Sequence, residues 1–231
     1  EGVYTTDPRM VKSAKKIKKI SYEEMLEMAS LGAKVMQPAS IQEARLNRIE
    51  IDVRSTFSKK IGTTITRKKN IISKNTIRGI SFTKNDSKIT LIGVKDKPGV
   101  AASIFKPLYE NSINVDMVVQ NISADSRETD LTFTIKLEDL IKTRKILENN
   151  RSIKFKKLVV NKNVSKVSII GVGMITTPGI TYRMFKALAK EKINIEVIST
   201  SEIKISVLIN KKNLKKSVEI LHQEFKLNNN L

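Results

Sequence analysis

The sequence predicts an α+β protein: two ferredoxin-like modules of order βαββαβ, the first inserted into the second, preceded by the tail of an α/β domain. Three observations carry this. An internal repeat is held at an offset of 80 residues from Pro98 and Pro178 onward, through Gly99/Gly179, Phe105/Phe185, Leu108/Leu188, Ile113/Ile193 and Asn114/Asn194. Each copy alternates strand-like and helix-like hydrophobic periods in the order β-α-β-β-α. Only the first copy ends in a closing strand, whereas a strand-like run without a partner lies upstream of it.

The elements follow in chain order. Gly2 to Arg9 is rich in turn residues. Ser21-Tyr-Glu-Glu24 is a capping box ahead of an apolar helix face of Met25, Met28, Ala29 and Leu31, with Gly32 expected to close the helix. Gln42 to Asn47 reads as helix and Ile49 to Ser55 as strand. Residues 1–68 are too few to hold a core alone and read as the end of a larger domain, and 69–76 as a linker. The first module, 89–160, has a strand at Ile89–Val94 and a Pro98-Gly99 turn. A helix follows with Val100, Ile104, Phe105, Leu108 and Tyr109 on one face, then strands at Ile113–Val119 and Asp130–Ile135. A second helix at Asp139–Asn149 presents Leu140, Ile141, Arg144 and Leu147, and Phe155–Val160 closes the module. The second module repeats this with strands at Val167–Val172, Ile193–Ile198 and Ile203–Ile209. Its helices are one with Ile180, Met184, Phe185 and Leu188 on its face and one at Asn213–Phe225. Its fourth strand is expected from residues 77–83, because a vacant sheet position leaves backbone N–H and C=O groups unpaired. The second module is therefore 77–88 plus 161–231.

Composition narrows the function. Net charge is +20 and the isoelectric point about 10.0, which invites nucleic acid. But 33 of the 43 basic residues are Lys, spread along the chain, and aromatics are 5% with no Trp. The preferred bidentate reader, Arg, and the stacking platforms are thus scarce, and no nucleic-acid partner is expected. The absence of Cys removes disulfides and thiolate sites, a single His removes multi-His zinc clusters, and no metal site is expected. No apolar run approaches the roughly 18 residues of a membrane span. The chain opens Glu1-Gly2-Val3-Tyr4 with neither Met nor an apolar leader, which reads as a fragment or processed product with a cytoplasmic location. His222, beside Leu221 on a helix, reads as a surface or packing residue.

Two places could bind ligands. Tyr4 could offer an aromatic surface to adenine, and Arg9 and Lys34 cations to phosphate; the simpler reading of these residues alone is a packed Tyr and two surface cations. Pro-Gly before a helix leaves first-turn N–H groups that attract a carboxylate, and Asp96, Asn114, Asp116 and Gln120 could receive an ammonium. For either copy alone, ordinary turn and strand-start residues explain the pattern as well. Two copies in register, together with the family resemblance that follows, favour a ligand.

Motifs covering nearly the whole chain in order resemble the C-terminal part of the aspartokinases. These are Gly2-Val-Tyr-Thr-Thr-Asp-Pro-Arg9, Ile20 to Val35, Val53-Arg-Ser55, Gly62-Thr63, Asp96-Lys-Pro-Gly99, Ile113 to Asn121 and Ile198 to Ser206. The resemblance implies that the two repeats are ACT modules binding an amino-acid effector, lysine and/or threonine. It implies ATP contacts at Tyr4, Arg9, Lys34 and Val35, with Mg²⁺ in the complete enzyme. It implies effector contacts at Asp96, Lys97, Pro98, Gly99, Val100, Ala101, Asn114, Val115, Asp116 and Gln120, and in the second copy at Ile180, Thr181, Asn194, Ile195, Ser201 and Glu202. No catalytic residue is expected, because the aspartate site belongs to an N-terminal kinase half outside this sequence. The chain departs from the family at Thr176-Thr177-Pro178, Thr181-Tyr182 and Ala39. A homodimer through the ACT modules is expected, and a stand-alone amino-acid sensor is the alternative.

Overall fold

A computed structural model describes residues 2–67, 71, 75–122, 128–150 and 152–228. Of the expected linker, residues 69, 70 and 72–74 lie outside the described residues. The chain divides into two compact units, Glu1–Thr83 with Lys166–Leu231, and Lys84–Ser165.

The opening segment of the first unit runs β1 (Lys19–Ser21), α1 (Tyr22–Ser30), α2 (Pro38–Asn47), β2 (Ile51–Val53) and β3 (Thr63–Thr66). The capping box forms: Ser21 Oγ accepts from Glu24 N at 3.1 Å, and Ser21 N donates back to the Glu24 carboxylate at 3.3 Å. The helix ends at Ser30 with Leu31 as its C-cap, after which Gly32 takes φ +112° and Ala33 N donates to Met28 O. Helix α2 starts four residues earlier than expected because Pro38 supplies a preset φ at its first turn. Strand β2 is shorter than expected. Strands β1 and β3, three and four residues long, are too short to show a period in sequence, and they build a sheet of order β1-β3-β2. Ile17, Ile20, Met25, Met28, Ile41 and Ile65 are buried against it.

The second unit holds residues 84–95 of β4 (Gly79–Lys95), α3 (Val100–Glu110), β5 (Val115–Ile122), β6 (Glu128–Lys136), α4 (Leu140–Asn149) and residues 157–165 of β7 (Lys157–Ile170). Its strand order is β5-β6-β4-β7. Ile89 faces Phe133 and Leu91 faces Leu131 across β4 and β6. The register shifts near Gly93, whose N–H donates to Asp130 Oδ1 at 2.9 Å. Ile104, Leu108, Leu140, Leu147 and Phe133 fill the core, with the Phe105 ring edge-on to Phe133 at 5.3 Å. Two expected helix faces are corrected. Tyr109 is 81% and Ile141 70% exposed, and Arg144 pairs with Glu148 in solvent. The inward stripe of α4 is Leu140, Thr143 and Leu147. The Thr143 hydroxyl turns back to Asp139 O, which lets a polar residue occupy the buried face.

The first unit is completed by residues 166–170 of β7, α5 (Ile180–Lys190), β8 (Ile195–Ser201), β9 (Lys204–Asn210) and α6 (Leu214–Glu224). Residues 79–83 of β4 lie beside β7 in the order β4-β7-β9-β8, and Arg78 N donates to Ile170 O at 2.7 Å. Ile77 and Ile80 share a core with Val167, Ile169, Ile180, Leu188, Val207 and Leu221. Residues 79–83 and 89–94, from runs expected as separate strands, belong to the single strand β4; 157–160 and 167–170, from the expected Phe155–Val160 and Val167–Val172, are likewise parts of β7. The polar stretch between the first pair still alternates: Ser87 is buried, and Asp86, Ser87 and Lys88 ladder with Lys136, Ile135 and Thr134. The repeat offset is also not constant. It falls to 74 after the longer β5–β6 connection, where Leu131, Leu140 and Leu147 correspond to Ile205, Leu214 and Leu221, all buried.

Candidate functional site

The nucleotide candidates lie on two segments of the first unit. Tyr4 is half-buried, bridging to Lys16, between Val3 N bonded to Thr63 Oγ1 and Thr5 N bonded to Lys15 O. Asp7 closes the next turn by accepting from Arg9 N and, through both carboxylate oxygens, from the Arg9 guanidinium at 2.8–3.2 Å. Those bonds raise the Arg9 pKa further, and the side chain is 89% exposed. Lys34 and Val35 are exposed, just past the Gly32 turn that ends α1. The structure brings the two segments to one stretch of β4: Ile80 N donates to Thr5 O at 2.7 Å, and Gly32 lies so close to Phe82 O that a Cβ would stand 2.2 Å from it. An exposed cation beside an exposed aliphatic residue fits one wall of a nucleotide pocket; Arg9 would have to exchange Asp7 for phosphate. Among the described residues no group of three or more His, Asp or Glu could hold a metal ion.

The effector candidates lie on the matching turns of the two modules. Gly99 and Gly179 both take φ +87°, and a Cβ on either would meet nothing within 4 Å, so backbone conformation rather than space calls for glycine there. Neither α3 nor α5 has a side-chain N-cap bond. Strands β4 and β5 both run antiparallel to β6 and flank it, so Lys95, opposite Glu128, lies at the same end of the sheet as Ile122, opposite Thr129. The turn carrying Asp96, Lys97, Pro98 and Gly99, and Val100 and Ala101 after it, therefore shares one sheet end with Gln120. Val115 pairs with Ile135, six residues along β6 and on the order of 20 Å away, so Asn114, Val115 and Asp116 lie toward the other end. The second module behaves alike. Gly171 N donates to Ile203 O, setting the 171–179 loop at the β8–β9 hairpin, so Ile180 and Thr181 share an end with Ser201 and Glu202. Asn194 and Ile195 lie at the opposite end, where Ile195 faces Ile209. All sixteen residues except Ile180 are exposed or half-buried.

Several residues here carry no sequence signal of their role. Glu24, 2% exposed, accepts from Val172 N at 3.1 Å and pairs with Arg78 at 3.6 Å, besides capping α1; the capping box foretold only the last. Glu27 accepts from Lys204 Nζ at 3.0 Å. His222 is a packing residue, fully buried, with Nε2 2.9 Å from Thr5 Oγ1 and no hydrogen-bond partner at Nδ1 among the described residues; burial pulls its pKa below the ordinary 6.5.

Residues 89–150 and 167–225 match the family model described as ACT domain, and residues 1–55 match the amino acid kinase family. A solved structure of aspartokinase alpha and beta subunits is 41% identical, with a TM-score of 0.61, over 65% of this chain and 99% of that one. The chain belongs to the aspartokinase family. An aspartate kinase of Pseudomonas putida is 44% identical over 229 residues, 98% of this chain and 56% of the relative. The E. coli aspartokinase III structure in complex with lysine and aspartate superimposes with a TM-score of 0.78 at 26% identity, over 97% of this chain and 49% of that one. The chain thus spans about half the length of the curated aspartokinases it matches, and corresponds to the end of their kinase domain and the regulatory ACT portion.

Proposed function

We propose that this chain is the regulatory and partial nucleotide-binding portion of an aspartate kinase, which transfers the γ-phosphoryl group of ATP to the carboxylate of L-aspartate. That step opens the synthesis of lysine, threonine, methionine and diaminopimelate in the cytoplasm. In this reading residues 1–68 end the kinase domain and 69–76 link it onward. Residues 89–160 form the first ACT domain, and 77–88 with 161–231 the second. Tyr4 and Val35 offer apolar surface to the base, and Lys34 and Arg9 offer charge to the phosphates, with Mg²⁺ held elsewhere in the complete enzyme. Lysine or threonine is the effector. Its carboxylate faces the first turn of α3, and Asp96 and Gln120 receive its ammonium. Asn114, Val115 and Asp116 lie toward the far end of β5, so one module does not converge all the candidates on one ligand. A homodimer through the ACT domains supplies the second set of contacts. The observation that carries this reading is the pair of left-handed glycines opening α3 and α5 with no side-chain cap, on a chain that also matches a kinase tail.

The test is calorimetric titration of lysine and of threonine into wild-type protein and Asp96→Ala. Asp96 is exposed before a helix, so its loss leaves the fold intact and is expected to weaken binding at least tenfold. Equal binding by both proteins removes Asp96 from the site, and no binding of either amino acid to the wild type overturns the effector assignment.

A further inference from the structure

Residues Arg78 to Phe82 serve two neighbours at once. On one side Arg78 N donates to Ile170 O, closing the sheet of the second module. On the other, Ile80 N donates to Thr5 O, Ser81 Oγ donates to Met28 O at 3.3 Å, and Phe82 O abuts Gly32. Gly79 is also closely packed, since a Cβ there would stand 2.9 Å from both Thr5 O and Met28 Cε. One short strand thus touches both segments that carry the nucleotide candidates, Tyr4–Thr5 and Gly32–Val35. A second tie runs beside it. Glu24 binds Arg78 through one carboxylate oxygen and Val172 N through the other, and Val172 opens the loop that leads to Pro178, Gly179 and α5. Both charged side chains are almost wholly buried, so neither can leave the other without stranding a charge.

We infer that residues 78–82 are a strut fixing the nucleotide wall to the second module, with Gly32 and Glu24 as positioning residues: a change in the 172–179 loop on effector binding moves through Glu24 and Arg78 to Gly32–Val35. The coupling to ligands rests on the assignments proposed above; the strut itself does not. A carboxylate bound to two elements transmits a shift in either, and Gly32, with positive φ and no room for a Cβ, cannot slide along Phe82.

Amide hydrogen exchange, resolved by residue by NMR in the whole chain, tests both parts. Gly32→Ala is expected to speed exchange at Arg78 and Ile80 at least tenfold while Phe133 in the second unit is unchanged; unaltered rates at Arg78 and Ile80 overturn the strut. Should that variant not fold, Glu24→Gln, which keeps the shape and removes the charge, is expected to speed exchange at Arg78 and Ala33 at least fivefold, with unchanged rates again overturning it. Saturating lysine or threonine is then added to the wild type and to Glu24→Gln. The expected result is a change of at least threefold at Ala33 in the wild type, lost in the variant although it binds the amino acid within threefold of the wild-type affinity. Binding that leaves Ala33 unchanged in the wild type, or a full response in Glu24→Gln, overturns the transmission route. If neither amino acid binds the wild type, the effector assignment fails and with it the route, while the first comparison still judges the strut.

Discussion

The last helices of the two repeats, α4 and α6, have the same inward design and opposite surroundings. Leu140 and Leu214, Thr143 and Ser217, Leu147 and Leu221 occupy corresponding buried positions at an offset of 74. The next position is Glu148 in the first repeat and His222 in the second. Glu148 lies in water, paired at 2.7 Å with Arg144 one turn away. His222 is sealed beneath the opening segment and meets Thr5, a residue 217 positions earlier. The scaffold fixes which positions point inward, and what lies above the helix decides whether the next position carries a solvated charge or a neutral packed ring.

Five substitutions sharpen this contrast. Leu147→Ala and Leu221→Ala remove fully buried side chains from equivalent places, and each is expected to cost about 2–5 kcal/mol. Urea unfolding followed by circular dichroism measures both, and a small loss at one of them breaks the equivalence of the two cores. His222→Ala removes one partner of the Thr5 hydroxyl, which keeps Lys15 N, and opens a buried gap, for about 1–3 kcal/mol by the same measurement. This residue also confers a pH dependence. Its folded pKa lies below 6.5, so the unfolded chain takes up the proton first. Its stabilising effect is whole above about pH 6.5 and is lost as pH falls through the depressed folded value. As the chain has a single His, one imidazole resonance reports the folded pKa, and His222→Gln should flatten the slope below pH 6.5. Glu148→Ala, the solvent-side counterpart, is expected to cost at most about 0.5 kcal/mol, an effect that added salt erases.

These contrasts also mark how far the sequence could be read. Local signals came through: the Ser21–Glu24 capping box, the Pro-Gly turns before α3 and α5, and the alternation in β6 each act over a few residues. The mapping of 77–83 onto the second module was legible because a missing strand has a backbone cost. Continuity of β4 was not, since Lys84 to Lys88 resembles a polar connection and only its pairing with β6 makes it strand. The face of α4 was read a step off because Ile141 is apolar and exposed while Thr143 is polar and buried. In the candidate sites, residue types were legible and their convergence was not. Whether Asp96 lies beside Gln120 or Asn114 depends on strand direction, and the partners of Glu24 and His222 come from segments far away in the chain.

The discontinuity of the first unit has a kinetic consequence. Residues 84–165 form an unbroken stretch whose strands and helices can all meet once they exist. The strand at 79–83 must instead wait for 166–170, and the loop between them is closed more cheaply if the inserted module has already collapsed and shortened the distance its ends must span. During synthesis the inserted module is therefore the first to be able to fold to completion, and until β7 emerges Ile77 and Ile80 lack Val167 and Ile169 to pack against and Arg78 N lacks its acceptor, Ile170 O. That interval is when the nascent chain is most exposed to mispairing through this strand. Refolding followed stopped-flow should show the Phe133 core forming in an earlier phase than the environment of His222.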